Sequence, residues 1–131
     1  MAQQSESSAP DAINPRYAWL IALLTCVAGT MLLAYPALSG QFLVNTYSDQ
    51  YIAGYSFREF GAQVLRATGG FALWNPYLFG GMPYVGAMHG DIFYPTALLR
   101  MAMPTDAAMT WGMILHYMLG GFAAWLFLRA L

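Results

Sequence analysis

The sequence predicts an all-α membrane protein in which two transmembrane helices are joined by a long extracytoplasmic loop carrying an amphipathic interfacial helix and a short helix. Three observations lead there. Hydrophobic residues make up 59% of the 131-residue chain and charged residues only 8%, a balance foreign to soluble domains. Two runs, 17–37 and 107–128, are apolar over more than the ~18 residues that a span requires, without repeated charge or Pro. Between them lies 71–95, FALWNPYLFGGMPYVGAMHGDIFYP, too apolar for a solvated linker. Pro76, Pro83 and Pro95 with the glycines at 80, 81, 86 and 90 break it too often for a long helix or an internal strand. Its aromatic residues, Trp74, Tyr77, Phe79, Tyr84, Phe93 and Tyr94, suit an ordered loop at a membrane surface, ring buried and polar tip wet.

Taken in order, residues 1–16 form a polar tail rich in Ser and Gln, which would be disordered alone and would need a partner to hold one conformation. Its neutral-to-acidic start and the 21-residue run that follows do not match a signal peptide. The first span, 17–37, would extend roughly 31 Å at ~1.5 Å per residue. Pro15 and Arg16 mark its start, Tyr17 and Trp19 an interfacial belt, and Tyr35-Pro36 with Ser39-Gly40 its exit. The loop, 38–106, opens toward a helix from Ser48, as N-cap, to Thr68. Tyr51, Ile52, Tyr55, Phe60, Val64 and Leu65 fall mostly on one face of it, and Arg58, Glu59, Gln63 and Arg66 elsewhere. Such a helix suits the interfacial plane. A short helix over 96–103 starts at Pro95 and stops at Pro104. Thr105 then caps the second span, 107–128, with Asp106 set against the positive helix start, and 107–131 completes the chain.

Composition also excludes. All five basic residues are Arg and the net charge is -1, so no basic patch exists for nucleic acid. Cys26 is the only cysteine, inside an apolar run, and reads as a small hydrophobe. Nine Met are spread out as adaptable packing with no compact copper cluster. No Walker loop, nucleophile elbow, Cys pair, HExxH or internal repeat is present. With Arg16 and Arg129 at one face, both termini are placed on the cytoplasmic side and the loop outside.

Four polar groups invite chemistry. Asp49 opens the amphipathic helix, where a carboxylate is stabilised by about 0.3–1 kcal/mol, or acts as general base to a hydroxyl within reach. Gly90-Asp91 reads as a turn. His116, within the second span, would bond a carbonyl or a neighbouring helix, or serve as axial ligand to haem or a chlorin. His89 with Asp91 alone lacks the three or four ligands of a metal site. No cofactor is expected. The residues favoured for contact with a partner are Trp74, Tyr77, Phe79, Tyr84 and Tyr94 in the loop. Gly112 and Gly120 join them on the second span, where small residues let helices approach.

One span, the SDQ acid at 48–50, an amphipathic helix, WNPYLFGGMPYVG at 74–86, DIFYP at 91–95 and a second span bearing LHYMLGGFAAWLFLR follow one another. This order, over nearly all of 17–131, resembles the N-terminal portion of the YfhO-like bacterial membrane proteins. That family is similar to multi-span glycosyltransferases using lipid-linked sugars, in which an acid of the first extracytoplasmic loop is the proposed catalytic base. The resemblance implies that role for Asp49, a bacterial inner membrane, and a histidine at His116 without any pigment. Such enzymes enclose donor and acceptor with many more spans, so the chain would be the N-terminal piece of one. The other expectation is a non-catalytic accessory subunit that packs its spans, loop and tail against other integral-membrane subunits and lipids. An energy-transducing assembly, respiratory or photosynthetic, would supply such partners.

Overall fold

Helix formation is set by where proline interrupts the apolar runs. The computed structural model describes residues 15–87 and 91–131, so the expectations for residues 1–14, for His89 and for Gly90 lie outside the described residues. Helix α1 (Pro15–Leu33) opens with proline at its first position, where a missing N–H costs nothing. It stops four residues short of the expected end at 37. Pro36 has no N–H to give the Leu32 carbonyl and biases Tyr35 away from helical angles, so the chain tightens into a 3-10 turn over Tyr35–Ser39. Helix α2 (Tyr55–Thr68) is preceded by a five-residue π-helical turn, Gln50–Gly54. Ser48 does not cap it: the Ser48 hydroxyl donates back to the Asn45 carbonyl at 2.7 Å, and only its carbonyl serves the turn.

The short helix is split. A 3-10 turn, Pro95–Leu98, runs into one α-turn, α3 (Leu99–Ala102), before Pro104. Helix α4 (Thr105–Ala130) then runs for 26 residues. Asp106 sits in its first turn, as expected, with Oδ1 accepting from the Ala107 N–H. Thr105 is not the cap but the first helical residue, its side chain buried. The chain is thus mostly helical, and α1 and α4 are both long and apolar enough to cross a membrane.

The one pair of strands among the described residues was not anticipated. Strands β1 (Trp74–Asn75) and β2 (Met82–Pro83) pair antiparallel, Trp74 opposite Pro83 and Asn75 opposite Met82. The prolines limit the ladder to two residues, and side chains finish the turn: buried Asn75 accepts the Tyr77 N–H at 3.0 Å. Gly81 has φ 117° and lies under the Trp74 ring, so a side chain would be barred twice, by backbone angle and by contact.

Two small cores result. Antiparallel packing of α1 on α4 sets Ala34 and Ala37 against Ile114, and Met31 and Met118 join them; further along, Cys26 lies on Gly121. The second core is the loop's own, with Phe57 of α2, Ala72 and Tyr84 flanked by Phe60, Val64, Leu78 and Ile92. The buried residues of α4, Thr105, Ala108, Thr110, Gly112 and Ile114, all fall in its first ten positions. Because α1 ends level with Ile114, those turns project past α1 and form a post for the loop. The rest of α4 is largely exposed.

Candidate functional site

A chain with so few charges has placed three of them together. Asp91 Oδ1 accepts from Arg58 Nε of α2 at 3.0 Å and from Arg100 Nη1 of α3 at 2.8 Å. One carboxylate therefore ties α2 to α3, and the Asp91 carbonyl also accepts the Tyr94 N–H to start the turn into Pro95. Arg58 Nη1 donates to Gln50 Oε1 at 3.0 Å, which fastens the π-turn to the same cluster. Arg100 is only 7% exposed, a burial that a guanidinium tolerates when paired. Burial opposes ionisation of Asp91, but Arg100 and then Arg58 outweigh it and hold the carboxyl below its ordinary range.

A second polar group sits where α2 meets the start of α4. The Thr105 hydroxyl faces the Glu59 carboxylate without reaching full hydrogen-bond geometry, so it is the buried side-chain atom left without a partner among the described residues. Together with Gln63 and Arg66, Thr105 keeps the Glu59 carboxyl below its usual range despite partial burial. Arg66 reaches Glu59 at 3.4 Å and donates to the Arg100 carbonyl at 3.3 Å, joining the two clusters.

Beside the first cluster a cavity of about 440 Å³ runs along one face of α4, from Ala108 to His116. Its opposite wall is segment 42–45, turned at Leu43 by the Val44 N–H donating to the Phe42 carbonyl and fastened to α4 by Thr110, which accepts the Leu43 N–H at 3.2 Å. Arg58, Asp91 and Arg100 supply the charge in the wall; Phe42, Leu43, Met109 and Met113 supply the apolar part. At the far end, His116 Nδ1 lies 2.6 Å from the Gly112 carbonyl and the ring stacks on Tyr94, centroids 5.1 Å apart. With Nδ1 engaged, Nε2 is the atom left to meet a ligand. No three His, Cys, Asp or Glu side chains converge as a metal would need among the described residues.

The residues expected to act fall into different surroundings. Asp49 is exposed, makes no capping hydrogen bond and follows cavity-lining Ser48. Trp74, Tyr77, Phe79 and Tyr94 are exposed, Tyr77 and Phe79 by more than four-fifths. Two of the residues expected at an interface are buried within the chain. Tyr84 is 3% exposed, stacked on Phe57 at 4.2 Å with its hydroxyl donating to the Phe57 carbonyl at 3.1 Å, so its ring is not offered to a partner. Gly112 is buried against Thr96 of the Pro95–Leu98 turn, which occupies the groove that an outside helix would need. Gly120 keeps an open face.

Arg58 and Arg100 are the residues that reading the sequence missed. Helical spacing put Arg58 only off the apolar face of its helix, and Arg100 counted only as one of the five basic residues. The available signal was scarcity: five Arg and six carboxylates serve the whole chain, so an acid within the apolar loop needs a cationic partner. No protein-family model matches the chain, and neither a curated protein nor a solved structure matches it.

Proposed function

We propose that the chain is a non-catalytic integral-membrane accessory subunit, with α1 and α4 crossing a bilayer and the folded loop docking on other membrane-embedded chains. The observation that carries this reading is the exposure of large apolar side chains on the hairpin. Leu73, Trp74, Tyr77 and Phe79 stand exposed on and beside the two-residue ladder, and exposed apolar surface of this extent marks interaction sites. Phe79 has φ 52°, a left-handed conformation costing about 1–3 kcal/mol in a residue other than glycine. The hairpin sustains that strain with the ring turned outward.

The bilayer assignment draws on α1, whose 19 residues extend roughly 29 Å, about the thickness of a hydrocarbon core. The exposed part of α4 beyond Ile114 lies antiparallel to it. On this reading α2 and the hairpin lie at the extracytoplasmic surface of a bacterial inner membrane, with Arg16 and Arg129 on the cytoplasmic side. A multi-subunit energy-transducing assembly, respiratory or photosynthetic, is the class of partner expected. The test is joint replacement of Trp74 and Tyr77 by Ala. Interface anchors of these types are worth ~2 kcal/mol or more each, so retention in the parent assembly should fall at least tenfold while insertion into membranes is unchanged. Retention at the wild-type level would remove the hairpin from the interface.

A second reading is favoured by one observation, the exposed and uncapped carboxylate of Asp49. It makes the chain the N-terminal piece of a YfhO-like glycosyltransferase, with Asp49 as base once further spans enclose a lipid-linked sugar. Asp49→Asn in the full-length protein would then abolish sugar transfer without loss of assembly. Under the subunit reading the same substitution is silent.

A further inference from the structure

We propose that the cavity beside α4 is a binding site for the phosphodiester headgroup of an anionic phospholipid. Its wall carries two guanidiniums and one carboxylate, a net charge of +1 from Arg58, Arg100 and Asp91, which one phosphodiester neutralises. Both guanidiniums are held in place before any ligand arrives, since Asp91 bonds each of them and Gln50 bonds Arg58. Neither is saturated. A guanidinium has five N–H donors, whereas among the described residues Arg58 uses Nε and Nη1 and Arg100 uses Nη1. Both residues line the cavity, and among the described residues none of their unpaired nitrogens is fully buried. Planar, fixed donors of this kind recognise phosphate oxygens.

The rest of the cavity distinguishes a lipid from a free anion. Beside the polar Asn45, Ser48, Gln50 and Thr96, the side chains of Phe42, Leu43, Met109 and Met113 give it an apolar part, of no use to a hydrated phosphate but suited to the glycerol and upper acyl carbons of an amphiphile. From Ala108 to His116 the α4 face measures roughly 12 Å. The His116 end, where Met113 is also exposed, is just past the level at which α1 ends against Ile114. There the surface of a bilayer spanned by α1 and α4 would lie. The site is independent of which chain the hairpin meets, so loss of the hairpin interface and loss of lipid binding are separate results.

The test uses the full chain in nanodiscs of phosphatidylcholine with a minor fraction of phosphatidylglycerol. Native mass spectrometry reads the lipids retained after release from the disc, and helix content by circular dichroism checks folding. One phosphatidylglycerol per chain should be retained over phosphatidylcholine, and Arg58→Gln, at the more accessible of the two guanidiniums, should weaken that retention about tenfold or more. Arg100→Gln should do the same where it folds. Inorganic phosphate should displace the lipid only at concentrations far above it, since it leaves the apolar wall unfilled. Equal retention of the two lipids, or a folded Arg58→Gln chain that keeps phosphatidylglycerol like the wild type, would overturn the site. Displacement by equimolar phosphate would overturn the lipid as its occupant.

Discussion

Asp91 and Tyr84 show what single side chains contribute to this small molecule. Asp91 holds two guanidiniums, one of them buried, and removing its charge would leave Arg100 without its carboxylate. Asp91→Asn should therefore lower stability by about 2–3 kcal/mol, read as a denaturation midpoint in detergent. The pH dependence has a definite sign. The folded-state pKa of Asp91 lies below the unfolded value of about 3.9, so its contribution is complete above that pH and is lost as pH falls through the folded pKa. Glu59 acts in the same direction. Stability should decline in the acid range below about pH 4, and the decline should be shallower in Asp91→Asn. Tyr84 makes the opposite demand, for space: its ring passes so close to Gly61 that an added methyl group would overlap its hydroxyl. Gly61→Ala should cost about 1–3 kcal/mol through this overpacking, and a Gly61→Ala chain that melts like the wild type would place the Tyr84 ring elsewhere.

Proline chemistry dominates at the scale of elements. Pro36 ends α1, and Pro36→Ala should let the helix run on through Tyr35 toward Ser39, seen as slower amide exchange at Ala37 and Leu38. Unchanged exchange there would mean that packing of Ala34 and Ala37 on Ile114, rather than the missing donor, sets the end. Both long helices and the break at Pro104 were legible in the sequence because apolar run length and proline act locally. The face of α2 was less so. Spacing selected Tyr51 and Ile52, which are exposed, and passed over Phe57, which is buried at 1%, because the face that matters is chosen by Ala72 and Tyr84 arriving from the hairpin. The π-turn is held by Arg58 on Gln50, eight residues back, and the Trp74 to Pro83 ladder by Asn75 within its own turn, side-chain bonds that hydrophobic spacing does not register. Candidate site residues divide the same way. Trp74, Tyr77 and Phe79 were visible as aromatic residues among turns, whereas the joining of Arg58, Asp91 and Arg100 needed the tertiary fold.

At the scale of the whole molecule, α4 has two different halves. Its first ten residues form the post around which α2, the Asp91 turn and α3 gather, and the remainder pairs with α1 and presents apolar side chains outward. The loop is thereby a folded unit carried on the end of a helical pair, with Arg58, Asp91 and Arg100 lining one cavity and Trp74, Tyr77 and Phe79 exposed. The mass of the native assembly, measured after gentle extraction from the membrane in which the protein is made, tests the subunit reading most directly. A fixed-ratio complex with other integral-membrane chains is expected, released by joint replacement of Trp74 and Tyr77 by Ala. A stable monomer, with no membrane partner before or after that replacement, would contradict it.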